Sequence, residues 1–203
     1  MNEGGQSRLG DDEAWKDEAS DDNLLMATAR GDRAAFRRLM ERHTRGMVAL
    51  AQRITGNAAD ADEVVQDTFL KLWSMAGRWR PETQAKLSTW IYRVTLNACI
   101  DRRRKTTFLP LEDAGDPPDP AQGGLDRAMA RESHEVVRAF LDRLPRRQKE
   151  ALVLYYFGEM TAPQAARVME MSVPAFEALL VRGKRGLKRA MTDQGLRGTG
   201  DIL

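Results

Sequence analysis

Apolar residues recur along the chain at the three-and-four spacing of an amphipathic helix. Nothing alternates with period two over a useful length, so an all-α protein without a sheet is predicted. Phe36, Leu39, Met40, His43, Met47, Leu50, Ala51 and Ile54 form one apolar stripe, and Gly56 stands where a left-handed residue would end the helix. Asp60 is expected to open a second helix, with Glu63 three residues on as its capping-box partner. The inner stripe of that helix is Ala61, Val65, Phe69, Leu72 and Ala76, and Gly77 stops it. A third helix begins after Ser88 and runs through Ile91, Val94 and Ala98 to about Lys105, and a shorter one from Leu24 to Ala29 precedes Gly31.

The periodicity then lapses. Pro110, Pro117, Pro118 and Pro120 are interspersed with Glu112, Asp113, Asp116 and Asp119, which reads as an extended acidic linker over residues 106–124. Helical pattern resumes near Leu125, and Pro145 suits the first turn of a helix ending at Gly158. The expected organisation is two small helical domains, 22–105 and 125–192, joined by the acidic Pro-rich linker. Residues 1–21 and 193–203 are expected to be disordered, because they hold too few apolar side chains to offset ordering entropy. Trp15 is isolated there and receives no role.

Three surfaces carry candidate chemistry. Thr161-Ala162-Pro163-Gln164 is a capping box with proline in the first turn, and Ser172 and Pro174 repeat the arrangement for the next helix. Phe176, Leu179, Leu180 and Leu187 form the core side of that helix, and Arg182, Lys184, Arg185, Lys188 and Arg189 its outer rows. Two helices on so short a turn match a helix-turn-helix whose second helix enters a major groove; a generic αα-hairpin with a solvated basic face fits the same spacing. On the third helix, Thr89, Arg93, Asn97, Asp101 and Arg104 share one polar stripe, and Arg102-Arg103-Arg104-Lys105 closes it. Trp79, Trp90 and Tyr92 lie among Arg78, Arg80, Lys86 and Arg93, the aromatic and cationic mixture that holds single-stranded nucleic acid, or else core aromatics beside a solvated basic run. The outer face of the second helix carries Asp62, Glu63, Gln66, Asp67, Leu70 and Trp73. That face resembles a protein-docking surface, unless Trp73 folds inward.

Composition narrows the classes. The 203 residues include one cysteine, Cys99, and two histidines, too few for a disulfide framework or a multi-cysteine zinc site. The net charge of +2 conceals alternating blocks: −6 over residues 1–22, +8 over 23–105, −4 over 106–133 and +4 over 134–203. Two basic modules on an acidic tether suit a polyanion partner. No apolar run is long enough for a membrane span and the N-terminus lacks a signal-peptide core, so a cytoplasmic protein is expected. No nucleophile, metal cluster or phosphate-cradling loop emerges, so neither enzyme nor cofactor is expected. His43 and Cys99 read as core residues.

With these motifs in order, the chain resembles the extracytoplasmic-function sigma factors of the sigma-70 family. Asp60 to Trp73 looks like region 2.2, Ser88 to Arg104 like regions 2.3 and 2.4, Leu144-Pro145 with Arg147-Gln148 like the start of region 4, and Thr161 to Arg189 like region 4.2. The resemblance implies a dissociable subunit that brings core RNA polymerase to promoters and helps to melt them. It implies that Asp62, Glu63, Gln66, Asp67, Leu70 and Trp73 dock on the β′ clamp helices, with region 4 on the β flap. It also implies that Arg78, Trp79, Arg80, Lys86, Thr89, Trp90, Arg93, Asn97, Arg102, Arg103 and Arg104 hold the melted −10 element. Ser172, Pro174, Ala175, Glu177, Ala178, Arg182, Lys184, Arg185 and Lys188 would meet the duplex −35 element, although Pro174, Glu177 and Ala178-Leu179 depart from the commonest family pattern. An anti-sigma factor is the further partner implied, and a stress response the setting. The alternatives are a self-sufficient helix-turn-helix regulator that binds duplex DNA without polymerase, and a nucleic-acid-modifying enzyme.

Overall fold

The structure is a computed structural model that describes residues 19–81, 86–108, 137–158 and 160–193; the expected linker beyond residue 108 and the two termini lie outside these. Every regular element among the described residues is helical. Helix α1 spans Asp21–Ala29, α2 Arg33–Thr55, α3 Ala58–Met75, α4 Leu87–Phe108, α5 Arg146–Tyr156, α6 Ala162–Val168 and α7 Val173–Thr192, with a 3-10 turn at Ala76–Arg78 and a helical stretch at 137–141.

Local chemistry explains most of the ends. Ser20 caps α1 by accepting from the Asn23 amide, and Asp32 caps α2 by accepting from Ala34 and Ala35 at 2.9 and 3.1 Å. Gly56 ends α2 at φ 79°, a conformation that favours glycine. Helix α3 starts earlier than the Asp60 expectation: Asn57 is its cap, accepting from Ala59 and Asp60 amides at 2.8 and 3.3 Å. Gly56 leaves Asn57 extended and first in line for the free amides, so Asp60 sits inside the first turn and faces another helix. Helix α4 runs three residues past Lys105.

The first bundle closes around Leu25, Leu39, Met47, Leu50, Leu72 and Ile91, and the second around Leu141, Leu152, Leu154, Phe176 and Leu187. Met40 does not join the first core and is exposed, while Phe36 packs at the core's margin, half-buried and edge-on to Phe69, because among the described residues no helix covers that flank of α2. His43 is a core residue, its Nε2 2.8 Å from Asp21 Oδ2. Burial pushes the Asp21 carboxyl up, but bonding to His43 and Arg42 outweighs it and holds the group below its ordinary value. Cys99 is buried, and burial pushes its thiol up to about 12.

The bundles also pack on each other, α5 against α2 and α6 against α4. Lys149 is 2% exposed; its Nζ donates to the Ile54 carbonyl at 3.4 Å and pairs with Asp142 at 2.6 Å. Arg138 donates to the Gly56 carbonyl, and the Arg53 guanidinium lies 3.6 Å from the Phe157 ring centroid. Cations of the second bundle therefore meet the carbonyl end of α2, where the helix dipole is negative.

Candidate partner and nucleic-acid interfaces

The outer face of α3 comes together as expected. Asp62, Glu63, Gln66 and Asp67 are exposed in a row that ends in Leu70, 67% exposed, and Trp73, 45% exposed. Burying such apolar surface against a partner is favourable, and the acids beside it give the face a sign. Trp73 is turned edge-on to Phe36, with centroids 4.9 Å apart at 78°. Between α2 and α3 the same face opens into a groove of about 640 Å³ whose walls include Met40, Val65, Phe69, Leu70 and Trp73. Glu63 differs from its neighbours: it and Asp60 grip Arg102 of α4, at 2.5 and 2.7 Å.

The aromatic-and-basic surface is smaller than the sequence suggests. Trp79 is 3% exposed and donates its indole N–H to Asp22 at 2.7 Å, so α1 covers the ring and no face is left for stacking. Thr89 is 1% exposed and Tyr92 is buried, so both belong to the core. Arg102 ties α4 to α3 in place of facing outward. What remains exposed is Arg78, Arg80 and Lys86 before the helix, and Asn97, Arg103 and Arg104 along it, with Trp90 half-buried; residues 82–85 lie outside the described residues.

Arg93 has a partner that the stripe did not suggest. Its Nη2 donates to the Arg167 carbonyl at 2.8 Å and its Nη1 pairs with Glu170 Oε1 at 3.1 Å, so the α6–α7 turn sits on it. Glu170 takes φ 54°, the left-handed conformation rare for a side-chain-bearing residue. Arg103 stands 3.7 Å from Asp142 of the second bundle.

The basic helix is as read. Phe176, Leu179, Leu180, Leu187 and Met191 are buried, and Pro174, Ala175, Glu177, Ala178, Arg182, Lys184, Arg185 and Lys188 are all exposed. Ser172 is exposed too, but its hydroxyl accepts from the Ala175 amide at 3.4 Å as the cap. In the preceding helix Gln164 Oε1 accepts from both the Thr161 amide and hydroxyl, at 2.8 and 2.9 Å. Gly183 lets α7 approach α5: a Cβ there would stand 3.2 Å from Leu152 and 3.3 Å from the Gln148 carbonyl. Lys149 and Glu150, both buried, carry no role in the sequence reading. Burial pushes the Lys149 ammonium down and the Glu150 carboxyl up, against Asp142 in the first case and Arg146 and Arg147 in the second. Among the described residues no group of three His, Cys, Asp or Glu could hold a metal ion, and no helix is long and apolar enough to cross a membrane.

Two segments of the chain match known family models. Residues 39–108 match Sigma-70 region 2, and residues 134–187 match Sigma-70, region 4. The chain is 32% identical over 177 residues to the ECF RNA polymerase sigma factor SigM of Mycobacterium tuberculosis, covering 86% of each. It is 29% identical to the RNA polymerase sigma factor NccH of Alcaligenes xylosoxydans xylosoxydans, covering 84% of this chain and 94% of that one. Among solved structures it is similar to CnrH in complex with the cytosolic domain of CnrY, with a TM-score of 0.69, 26% identity, and 86% and 99% of the two chains covered. The fold also matches RpoE in complex with the anti-sigma factor NepR from Bartonella quintana, at a TM-score of 0.59 and 18% identity, over 77% of this chain and 96% of that one.

Proposed function

The chain belongs to the extracytoplasmic-function class of sigma-70 family RNA polymerase sigma factors, and on that premise we propose which surfaces do the work. The α3 face formed by Asp62, Gln66, Asp67, Leu70 and Trp73 docks on the β′ clamp helices of core polymerase, with Glu63 contributing only what its pairing to Arg102 leaves. Arg78, Arg80, Lys86, Trp90, Asn97, Arg103 and Arg104 hold the melted −10 strand, and Arg93 joins them once it parts from Glu170. Helix α7 lies in the duplex −35 element through Arg182, Lys184, Arg185 and Lys188 on phosphates, with Pro174, Ala175, Glu177 and Ala178 nearest the bases. The domains divide at 22–105 and 125–192 around an acidic linker, and region 4 rests on the β flap. The protein works in the cytoplasm, catalyses no reaction itself, and is held in reserve by an anti-sigma factor that covers the α2–α3 groove. The similarity to CnrH solved with the cytosolic domain of CnrY, and the fold shared with RpoE solved with the anti-sigma factor NepR, support an anti-sigma partner, and the exposed apolar walls of the groove support its place there.

The observation that carries the reading is the pairing of an acidic face ending in exposed Leu70 and Trp73 with a separate helix whose exposed rows are basic. The experiment adds purified chain to core polymerase on a promoter template. Wild type should start transcription, whereas Asp62→Lys with Asp67→Lys should abolish it and co-purification with core polymerase, while stability changes by less than about 0.5 kcal/mol because both positions are exposed. Unchanged co-purification would refute the α3 assignment. Tight site-specific footprints by the free chain at physiological salt would favour a stand-alone regulator.

A further inference from the structure

The side of α2 that faces away from the first core is basic, with Arg33, Arg37 and Arg45 exposed and Glu41 its one acid. An open apolar pocket of about 660 Å³ indents this side, floored by Phe36, Met40 and Trp73, with Arg33, Arg37 and Glu41 at its edge. An apolar floor edged by two cations and one acid, on a helix side that is basic as a whole, fits an aromatic side chain carried on an acidic peptide. The chain supplies one: Asp11-Asp12-Glu13-Ala14-Trp15-Lys16-Asp17-Glu18, within a stretch of six acids and two bases over residues 1–18. This segment joins the fold beside α2, since the Ala19 carbonyl accepts from Arg42 Nη1 at 2.6 Å and the same guanidinium pairs with Asp21 at 3.2 Å. Trp15 precedes Ala19 by four residues, a reach of about 14 Å when extended, to which the indole side chain adds its own length; half the way round a helix about 10–12 Å across is roughly 16–19 Å. An extended segment with its indole leading spans the basic side of α2 as far as the pocket.

We propose that residues 11–18 dock on α2 of the same molecule with Trp15 in this pocket. The docked segment covers Trp73 and competes with core polymerase for the edge of the α3 face. Its effect on polymerase rests on the α3 docking reading; its docking does not. The acids lie toward Arg33 and Arg37, away from Asp62 and Asp67 across the groove, so both charge and apolar contact favour the α2 side.

The test labels the full-length chain with 5-fluorotryptophan. Its four tryptophans should give four ¹⁹F signals, and Trp15→Ala identifies that of Trp15. The expected result is a Trp15 signal displaced from the solvent-exposed position, returning to it in Arg33→Glu with Arg37→Glu, while the buried Trp79 signal stays fixed as the report of folding. A Trp15 signal at the solvent position in the unaltered chain overturns the docking, and so does a displacement that grows with protein concentration, which would place a second copy in the pocket. In the second arm, Trp15→Ala should tighten apparent affinity for core polymerase by about tenfold if the segment is docked nine-tenths of the time, since apparent affinity scales with the free fraction. A displaced signal with unchanged affinity overturns the competition and points to a misplaced polymerase surface.

Discussion

Gly46 of α2 stands against Tyr92 of α4, and replacing it tests that packing directly. A Cβ built there would lie 2.0 Å from the Tyr92 hydroxyl oxygen, 3.2 Å from Cζ and 3.7 Å from Cε1. The Tyr92 ring is buried and turned edge-on to His43, centroids 6.4 Å apart at 81°, so it has little room to retreat. Gly46→Ala should cost about 1–3 kcal/mol for forcing the ring aside, offset by up to about 1 kcal/mol because alanine is the better helix former. Removing the hydroxyl with Tyr92→Phe leaves 3.2 Å as the nearest approach, which a small ring shift can absorb. Alanine at position 46 should then be neutral to slightly stabilising. Urea unfolding of the four-member cycle reads a coupling of about 1–3 kcal/mol, well outside the few tenths expected of independent sites. A coupling below about 0.5 kcal/mol would refute the close approach, and with it the position of the α4 stripe next to Tyr92.

Four further outcomes follow from the geometry. Asn97→Ala should weaken binding to a pre-melted −10 bubble by about 1–3 kcal/mol while closed-duplex binding is unchanged; Arg104→Ala should weaken binding evenly across sequences and flatten its salt dependence. Asp21 has a carboxyl pKa below its ordinary 3.8, so the unfolded chain binds the proton more readily and stability is lost as the pH is lowered. The contribution is complete above pH 3.8 and disappears as pH drops through the depressed value; acid titration of unfolding should show that loss in wild type and not in Asp21→Asn. Cys99, its thiol pushed up to about 12, should resist a thiol reagent at neutral pH until the chain is denatured, and rapid labelling of the native protein would contradict its burial.

The sequence was most legible where the deciding interaction is local. Gly56, Ser172 and the Thr161–Gln164 box each act within a few residues, so the chain alone identifies them as helix ends. The α3 face was equally legible, because helical spacing lines up Asp62, Gln66, Leu70 and Trp73 whatever surrounds them. Periodicity reports a face without reporting what covers it, which is why Met40 reads as core and is instead exposed, while Phe36 packs on the core and also lines a groove. The converse holds for Trp79: its neighbours Arg78 and Arg80 suggest a stacking surface, but Asp22, 57 positions away, takes its indole N–H. Arg102 was likewise claimed for DNA by its basic neighbours, although Asp60 and Glu63 hold it from 42 and 39 positions away. Glu170 and Lys149 matter only through contacts between the bundles, and no local pattern marks such residues.

The end of α2 belongs to both bundles at once. Its Ile54 and Gly56 carbonyls are satisfied by Lys149 and Arg138, side chains contributed by the second bundle. The first bundle cut free of the second would expose that terminus to water and lose the cations at its negative pole. The two bundles are thus thermodynamically linked in this arrangement: part of the protection of the last turn of α2 is borrowed. Amide exchange at residues 52–56 would speed up whenever the bundles separate, while the middle of the helix, held by Leu39, Met47 and Leu50, would keep its protection. The last turn of one helix thereby becomes a gauge of how far apart the two halves of the protein are.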